Sequence, residues 1–468
     1  ALDLISSSIK KRSKPHHRSV KSQFSFLVSI TQIRRSPKLT VNIINVSQQR
    51  LTVTQRSHHS NMKFFLSSSS SFSSKTSSLL AATTLLLVVF ATIASFVDAY
   101  VPNTPGGGKV AIDKAKSAPT TNIRTYVSAD IKTPDPIPLE GQQAALELMQ
   151  TGRLYRYNIS PGEQSVVSLC EKEICDYTGF KYCVGLNSCG SALMLLLKTT
   201  GLQPGQKVLS NAFTFGAVPS AIEHAQGKAV YVESNQDHVI SVVDLEKKLK
   251  ENPDAKHVLI SHMRGKVADM DAIKTLCDDH GAILLEDCAH SLGVYYGGEH
   301  TGHKGVACAI SSQSYKMINS GEGGFLLTDD PEIAAQTAVI AGAYEGLSGK
   351  HMTVPPPEYF KGKPVELPNY SLRMSNLAAS VIRPQIKTLE PRIEQYNGRY
   401  VDLVAKLEST IGDHIYIPQL SEGVTRMVHD SIQFNLHEKF TDEMVQEFID
   451  ECGSHGLPVE LFGHKSNA

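Results

Sequence analysis

From about Leu139 the chain alternates short apolar runs with amphipathic stretches. Two segments with helical spacing come first, EGQQAALELMQTG and EQSVVSLCEKEICDYTG, and each ends at a glycine, as helices commonly do. The apolar runs that follow are KYCVGL, KVLSN, KAVYVES, HVLISH, AILLED, ACAISS and GFLLTD. Between them lie SALMLLLKTTG, AVPSAIEHAQG, VVDLEKKLKENP and DMDAIKTLCDDHG. This alternation of strand and helix predicts an α/β fold with a mostly parallel sheet covered on both faces.

The first 61 residues have a different pattern. They contain eleven Lys and Arg against a single acid, Asp3, together with many Ser and Gln. Such a composition cannot build a core, so we predict a disordered basic extension. It is either a basic targeting segment or upstream sequence translated into a gene model. We favour the second, because Met62 begins a coherent signal.

Residues 62–99 resemble a secretory signal. Two lysines, Lys63 and Lys75, precede the uncharged run Leu79–Phe96, and small residues at 97 and 99 have the spacing of a signal-peptidase site. At 18 residues the run borders on the length of a membrane span, so a signal anchor is the alternative. We prefer cleavage after Ala99, which leaves no stable membrane span. The predicted location is the secretory pathway or an organelle entered through it, or the cytoplasm if the segment is a gene-model artefact.

Composition and charge narrow the remaining possibilities. Residues 100–135 are rich in Pro, Gly, Thr and Lys and are typical of a linker. Lys plus Arg equals Asp plus Glu, at 46 each, so no global field favours nucleic acid as a partner. None of the eight cysteines forms a CxxC pair, and several lie in apolar runs, which indicates buried, reduced thiols and no zinc site. An oxidising secretory compartment would suit reduced thiols poorly, and a bipartite organelle signal would reconcile the two.

Ligands of parallel sheets bind beyond the carboxyl ends of the strands, so the residues after each run are candidates for chemistry. After YCVGL, the small residues Ser188, Cys189, Gly190 and Ser191 turn the chain into a helix, whose free amides favour a phosphate. A plain helix cap at Ser188 is the alternative. After the next strand along, Phe215 is either a core aromatic or a ring that lies flat against a planar ligand.

Two further strand ends carry charge. Asp287 closes AILLED, where it is either a helix cap or salt-bridge partner, or a carboxylate that keeps a ring nitrogen protonated. Beyond ACAI, Ser311 and neighbouring hydroxyls precede Lys316, which is either a solvated lysine or a desolvated amine able to form a Schiff base. A phosphate site, a carboxylate, a flat aromatic and a reactive lysine are together the groups that pyridoxal 5'-phosphate (PLP) requires.

At this point the chain resembles the DegT/DnrJ/EryC1/StrS family of sugar aminotransferases, which are PLP enzymes of fold type I. The resemblance covers roughly Leu139 to the end of the chain. It is carried by ADMDAI (Ala268–Ile273), LLEDCAHSLG (Leu284–Gly293), SYKMINSGEGG (Ser314–Gly324) and RMSNLAA (Arg373–Ala379), in the family's order and approximate spacing.

The resemblance implies an aspartate-aminotransferase-like architecture. We expect a three-layer PLP-binding large domain over residues 136–380, with a mostly parallel central sheet. A smaller C-terminal α/β domain is expected over residues 381–468. It is expected to be incomplete, because family members usually continue beyond GLPVELFGHKSNA.

The resemblance also assigns roles to the candidate residues. Lys316 matches the lysine that forms the Schiff base, Asp287 the acid at the pyridine nitrogen, and His290 the position near the phenolic oxygen of the cofactor. Phe215 matches the aromatic residue that stacks on the ring, and Ser311 a serine that holds the phosphate.

Two cofactor contacts depart from the family pattern. Cys189 and Gly190 fall on a phosphate-binding turn that is usually Ser-Gly-Thr, so the threonine hydroxyl is missing and backbone amides must suffice. The family often has Asn-x-Arg-Met, with the Asn reaching the phosphate from the partner subunit. Here Ser371 stands at that place, and Asn369 is the candidate substitute.

The implied activity is transfer of an amino group from glutamate or glutamine to a keto sugar, typically nucleotide-linked, by a homodimer. A related branch dehydrates sugars and has a histidine in place of the lysine, which Lys316 argues against. A non-catalytic PLP- or sugar-binding sensory protein on the same fold is the other alternative.

Overall fold

The computed structural model describes residues 133–344, 346–457 and 459–462, together with four short backbone strands nearer the N-terminus. Those strands are β1 (Ser25–Val28), β2 (Thr40–Ile44), β3 (Arg50–Thr54) and β4 (Arg124–Thr125). Strands β1, β2 and β3 lie within residues 1–61, the extension that the composition predicts to be disordered. The predicted signal, residues 62–99, lies outside the described residues. No helix in the described part of the chain has the length and apolar character needed to cross a membrane. The domain boundaries stay predictions.

The remaining strands follow the apolar runs closely. They are β5 (Tyr182–Leu186), β6 (Lys207–Asn211), β7 (Lys228–Val232), β8 (His257–Ser261), β9 (Ile283–Asp287), β10 (Tyr295–Tyr296), β11 (Glu299–His300), β12 (Ala307–Ser311), β13 (Gly324–Thr328), β14 (Ile415–Tyr416), β15 (Val424–Arg426), β16 (Ile432–Leu436) and β17 (Val459–Leu461). All seven runs named from the sequence are strands of one sheet.

The helices occupy the amphipathic stretches. They are α1 (Leu139–Thr151), α2 (Val166–Thr178), α3 (Cys189–Thr199), α4 (Ala217–His224), α5 (Val242–Glu251), α6 (Met270–Asp279), α7 (Pro331–Ala341), α8 (Lys363–Glu366), α9 (Asn376–Lys387), α10 (Leu389–Ile411) and α11 (Asp442–Ser454). As expected, α1 and α2 end where Gly152 and Gly179 adopt φ of 70° and 88°, a left-handed conformation that other residues avoid.

The central sheet has seven strands in the order β5-β13-β12-β9-β8-β6-β7. Neighbours from β12 to β7 pair in parallel. Strand β13 is antiparallel to both β12 and β5. The prediction of a mostly parallel sheet is therefore confirmed, with one reversed strand that periodicity did not indicate.

Two apolar layers cover this sheet, which confirms the predicted fold class. On one face Leu209, Val258 and Ile260 join a cluster that includes residues of α2, α5 and α6. On the other face Val208 and Leu259 join residues of α3, α4 and α7. Successive strand residues point to opposite faces, so a strand buried on both sides must be continuously apolar.

A smaller C-terminal unit packs against the large domain. Its sheet has the order β14-β16-β1-β17, and its own core contains Leu403 from α10, Phe434 from β16 and Phe448 from α11. A second contact is the three-stranded sheet β11-β10-β15, in which Tyr295 pairs with Arg426. This unit therefore reaches the loops that follow β8 and β9.

Candidate active site

Polar side chains form a row along the carboxyl edge of the central sheet. Asn211 at the end of β6 accepts a hydrogen bond from the backbone amide of Ser261 at 2.8 Å, and its own amide donates to the Ser261 carbonyl at 3.1 Å. Ser261, which ends β8, donates from Oγ to Oδ2 of Asp287 at 2.8 Å. Parallel strands place their carboxyl ends side by side, so three sequence-distant residues become neighbours.

Asp287 is only 5% exposed. Its other oxygen, Oδ1, accepts the backbone amide of Ala289 at 3.0 Å. A buried carboxylate whose two oxygens both accept hydrogen bonds is held in one orientation. Ser261 and Asn211 escaped the sequence analysis, although both close apolar runs, which is the signal that pointed to Asp287.

The phosphate-binding turn, residues 188–190, joins β5 to α3. Ser188 Oγ accepts the Ser191 amide at 3.1 Å, so the helix cap predicted as the alternative is present. A cap leaves other first-turn amides without a partner inside the helix, and these remain suitable for an anion. An open cleft of about 690 Å³ lies beside the turn and is also lined by Tyr370 and Leu372.

Gly324 explains part of the glycine-rich loop. A Cβ at this position would lie 2.5 Å from the backbone nitrogen of Cys189 and 2.7 Å from its Cα. No side chain fits so close to a backbone. Strand β13 therefore passes directly against the phosphate-binding turn, and glycine permits that approach.

Lys316 is half-buried beyond the end of β12 and meets His290. Its Nζ lies 2.7 Å from His290 Nε2. Burial lowers the pKa of Lys316, an effect that the negative charges of Asp430 and Asp287 partly oppose. Burial and the charge of Lys316 lower the pKa of His290 to about 4. The imidazole is therefore neutral at pH 7, and its Nε2 can accept a hydrogen bond from the amine when the ring proton lies on Nδ1.

Two charged residues near Lys316 escaped the sequence analysis. Asp430, in the C-terminal unit, has a carboxylate oxygen 3.8 Å from His290 Nδ1. Arg264 has φ of 57° and a buried Nε with no hydrogen-bond partner among the described residues. Its charge acts on Lys316, His290 and Asp430. Arg264 follows the apolar run HVLISH by two residues, so the rule that pointed to Asp287 could have found it. Asp430 precedes its strand, and only the tertiary structure reveals its approach to His290.

The remaining predicted residues lie around the same edge. Ser311 is 4% exposed and its Oγ accepts the Gln313 amide at 3.2 Å. Phe215 lies just before α4 and is 63% exposed, so its stacking role stays a prediction. Asn369 is exposed, and its Oδ1 accepts the Ser371 amide at 2.9 Å within the same chain.

The arrangement fits PLP. The thiol of Cys189 has a pKa raised by burial first and then by Asp287, while the charge of Lys316 opposes the increase. The charges of Asp287 and Lys316 thus both act on a residue of the phosphate-binding turn. Nearby Thr214 Oγ1 is buried without a partner among the described residues, as expected of a hydroxyl that awaits a ligand.

Beneath the site lies a buried His262, Glu286 and Cys288 cluster whose potential ligand atoms are within 4.8 Å of one another. Glu286 accepts hydrogen bonds from His262 Nε2 at 2.7 Å and from the amides of Gly302 and Gly305 at 2.9 and 2.6 Å. These donors already satisfy the carboxylate. The cluster therefore fastens the loop after β11 under β9.

All eight cysteines, as predicted, are free thiols.

Comparison with known proteins agrees with this geometry. The model of the DegT/DnrJ/EryC1/StrS aminotransferase family matches residues 142–459. The chain is 31% identical over 366 residues to the spore coat polysaccharide biosynthesis protein SpsC of Bacillus subtilis, which covers 71% of this chain and 87% of that protein.

Two further proteins extend the likeness. GDP-perosamine synthase of Caulobacter vibrioides is 25% identical over 304 residues, 62% of this chain and 74% of that protein. A putative sugar aminotransferase of Streptococcus pneumoniae, solved in its PLP form, superimposes with a TM-score of 0.58 at 19% identity, over 70% of this chain and 82% of that one. The last similarity concerns the fold.

Proposed function

This chain belongs to the DegT/DnrJ/EryC1/StrS aminotransferase family and is a PLP-dependent aminotransferase; we propose that it transfers an amino group from glutamate or glutamine to a nucleotide-linked keto sugar. The names of two relatives support the sugar, since one serves polysaccharide biosynthesis and the other makes a GDP-linked amino sugar. The observation that carries the proposal is the half-buried Lys316 amine facing His290, with Asp287 buried nearby at the same sheet edge.

When bound, PLP supplies an electron sink for the reaction. We assign its phosphate to the phosphate-binding turn and Ser311, its ring nitrogen to Asp287 and its aldehyde carbon to Lys316. Ser261 and Ala289 donate to the two oxygens of Asp287 and so fix the orientation of its carboxylate, which would pair with a proton on the ring nitrogen.

Lys316 has the properties of a proton carrier. Its lowered pKa enlarges the neutral fraction of the amine near pH 7, and the neutral amine is the form that accepts a proton. In this assignment Nζ would carry a proton from the α-carbon of the donor to the cofactor in the first half of the reaction, and from the cofactor to the sugar carbon in the second half. Neutral His290 orients Nζ by accepting its hydrogen bond.

A lysine at this position disfavours the sugar dehydratase alternative, whose branch has a histidine there. The non-catalytic sensory alternative is separated by experiment. The purified chain incubated with PLP should gain an absorbance band near the visible edge, and glutamate or glutamine should remove it. Product analysis with a panel of nucleotide-linked keto sugars then identifies the acceptor.

The matched variants are Lys316→Ala and Lys304→Ala. Lys304 forms a surface ion pair with Asp271 at 2.5 Å, so its loss should leave the band intact, whereas Lys316→Ala should abolish it. A wild-type chain without a band contradicts the proposal. An absorbance band that no amino donor or acceptor changes supports the sensory alternative instead.

We also propose that the enzyme is a homodimer and enters the secretory pathway. Exposed Phe215, Tyr315 and Tyr370 lie near the site or its phosphate cleft and favour cover by a second subunit. The signal-like residues 62–99 support the location. Light scattering tests the assembly, and N-terminal sequencing of the mature protein tests cleavage before Tyr100.

A further inference from the structure

Asp430 brings a negative charge from the C-terminal unit to the catalytic lysine. It lies between β15 and β16, with a side chain only 10% exposed. Its Oδ1 accepts a hydrogen bond from Ser431 Oγ at 2.7 Å. Asp430 and Lys316 line the same small cavity of about 20 Å³.

Close packing fixes this position. Gly265 has φ of 75°, and a Cβ there would lie 3.1 Å from the His290 carbonyl oxygen and 3.3 Å from that of Val428. The turn after β8, the loop after β9 and the segment before β16 are therefore in direct contact. The carboxylate of Asp430 is thus placed by the docking of the C-terminal unit on the large domain.

The hydrogen bond between Lys316 and His290 requires one particular tautomer. If Nε2 accepts from Lys316, the proton of the neutral imidazole must lie on Nδ1. Nδ1 faces Asp430 at 3.8 Å and has no other partner among the described residues. This separation is too long for a hydrogen bond, but the carboxylate still favours a proton on the nitrogen that faces it.

We propose that Asp430 is a positioning residue that keeps the proton of His290 on Nδ1, so that Nε2 directs the Lys316 amine, and that it provides a counter-charge for the ammonium form. This inference rests on the proposed function of Lys316. It makes the reactivity of the lysine depend on a correctly docked C-terminal unit.

Other charges face the same groups. Lys316 also responds to Asp287, Arg264 and Cys189, and Arg264 acts on both His290 and Asp430. Arg264 opposes the ammonium form while the two carboxylates favour it. Removal of the Asp430 charge alone should therefore lower the pKa of Lys316.

The test uses Asp430→Asn, with Asp442→Asn at the exposed start of α11 as the matched control. Competitive acetylation of the PLP-free protein between pH 6 and 10, read by mass spectrometry, gives the titration midpoint of Lys316. We expect Asp430→Asn to lower it by about one pH unit, a tenfold change in the neutral amine at a fixed pH below both midpoints, and Asp442→Asn to leave it unchanged. Asp430→Glu should restore most of the shift.

A second measurement needs no Asp430 variant to fold. Histidine labelled with ¹⁵N, with His290 assigned from the spectrum of His290→Gln, should show the proton on Nδ1 in the wild-type protein. A wild-type proton on Nε2, or an unchanged Lys316 midpoint in folded Asp430→Asn, overturns the inference. Neither of these measurements uses the cofactor or a substrate. The proposed function is tested separately, and it is contradicted if no PLP band forms or if the band does not respond to amino donors and acceptors.

Discussion

The ion pair between Arg156 and Glu171 is buried, with side chains 1% and 0% exposed. Two bonds of 2.8 and 2.9 Å join them, and Glu171 also accepts the Gly185 amide of β5 at 2.7 Å. His351 lies 3.0 Å from the guanidinium. The group fastens the loop between α1 and α2 and the segment around residue 351 to the central sheet, so the positions of both loops depend on it.

A fall in pH should weaken the contribution of the Arg156–Glu171 ion pair to the stability of the fold. Burial raises the pKa of Glu171, but Arg156 and His351 outweigh it and lower the pKa from 4.5 to about 2. The unfolded chain therefore binds the proton first, and the contribution, about 3 kcal/mol, is complete above pH 4.5 and is lost as the pH falls toward 2. His351 adds in the same direction below pH 6.5, because burial lowers its pKa. Urea unfolding between pH 7 and pH 3 measures the loss.

The variant Glu171→Gln separates the pH-dependent stability contributed by Glu171 from that of the other carboxylates. Loss of the charge leaves Arg156 buried without its counter-ion, which typically costs about 3–5 kcal/mol at pH 7. Between pH 5 and 3 the variant should also lose less stability than the wild type. Glu163→Gln is the control, since Glu163 forms an exposed pair with Arg153. Equal pH slopes for wild type and Glu171→Gln would refute the assignment.

At the scale of elements, the contact between β13 and the start of α3 predicts the behaviour of Gly324→Ala. The new Cβ would overlap the Cys189 backbone, so the phosphate-binding turn must move. We expect PLP affinity to fall at least tenfold, because anion binding by backbone amides depends on their positions. Titration of the PLP-free protein by absorbance measures it.

The control is Gly398→Ala in α10, where a Cβ meets nothing within 4 Å. It should keep the PLP affinity and stabilise the helix by about 0.5–1 kcal/mol. Wild-type affinity in folded Gly324→Ala would mean that the phosphate does not depend on the position of this turn.

How far the sequence predicts this site depends on whether a residue adjoins a periodic element. Asp287 and Ser311 end strands that burial on both faces makes largely apolar, and Lys316 follows one of them, so their common edge was predictable. Asp430 also stands next to a strand, β16, but in another sheet. Its approach to His290 depends on how two units dock, and no local pattern encodes that. The reversed direction of β13 is likewise decided by its partners.

At the scale of the whole molecule, the proposed homodimer gives Asn369 two candidate sites, the phosphate cleft of its own chain and that of the partner subunit. Leu372 accepts the Asn187 amide at 2.8 Å, which holds the segment after residue 369 beside the phosphate cleft of its own chain. Asn369 itself is exposed and points its Oδ1 at Ser371.

Hybrid dimers of Lys316→Ala and Asn369→Ala subunits, carrying different affinity tags, distinguish the two. If Asn369 reaches the partner's site, one site of each hybrid combines an intact Lys316 with an intact Asn369 of the partner. The assay uses a PLP concentration well below the dissociation constant of the Asn369→Ala dimer, which should bind PLP about tenfold more weakly than the wild type, as for a lost bond to a charged group. The hybrid should then have about half of the wild-type activity, although the Lys316→Ala dimer has none. If Asn369 acts within its own chain, the hybrid should have only half of the activity of the Asn369→Ala dimer. That lower value, or failure of the two subunits to assemble, would contradict a shared site.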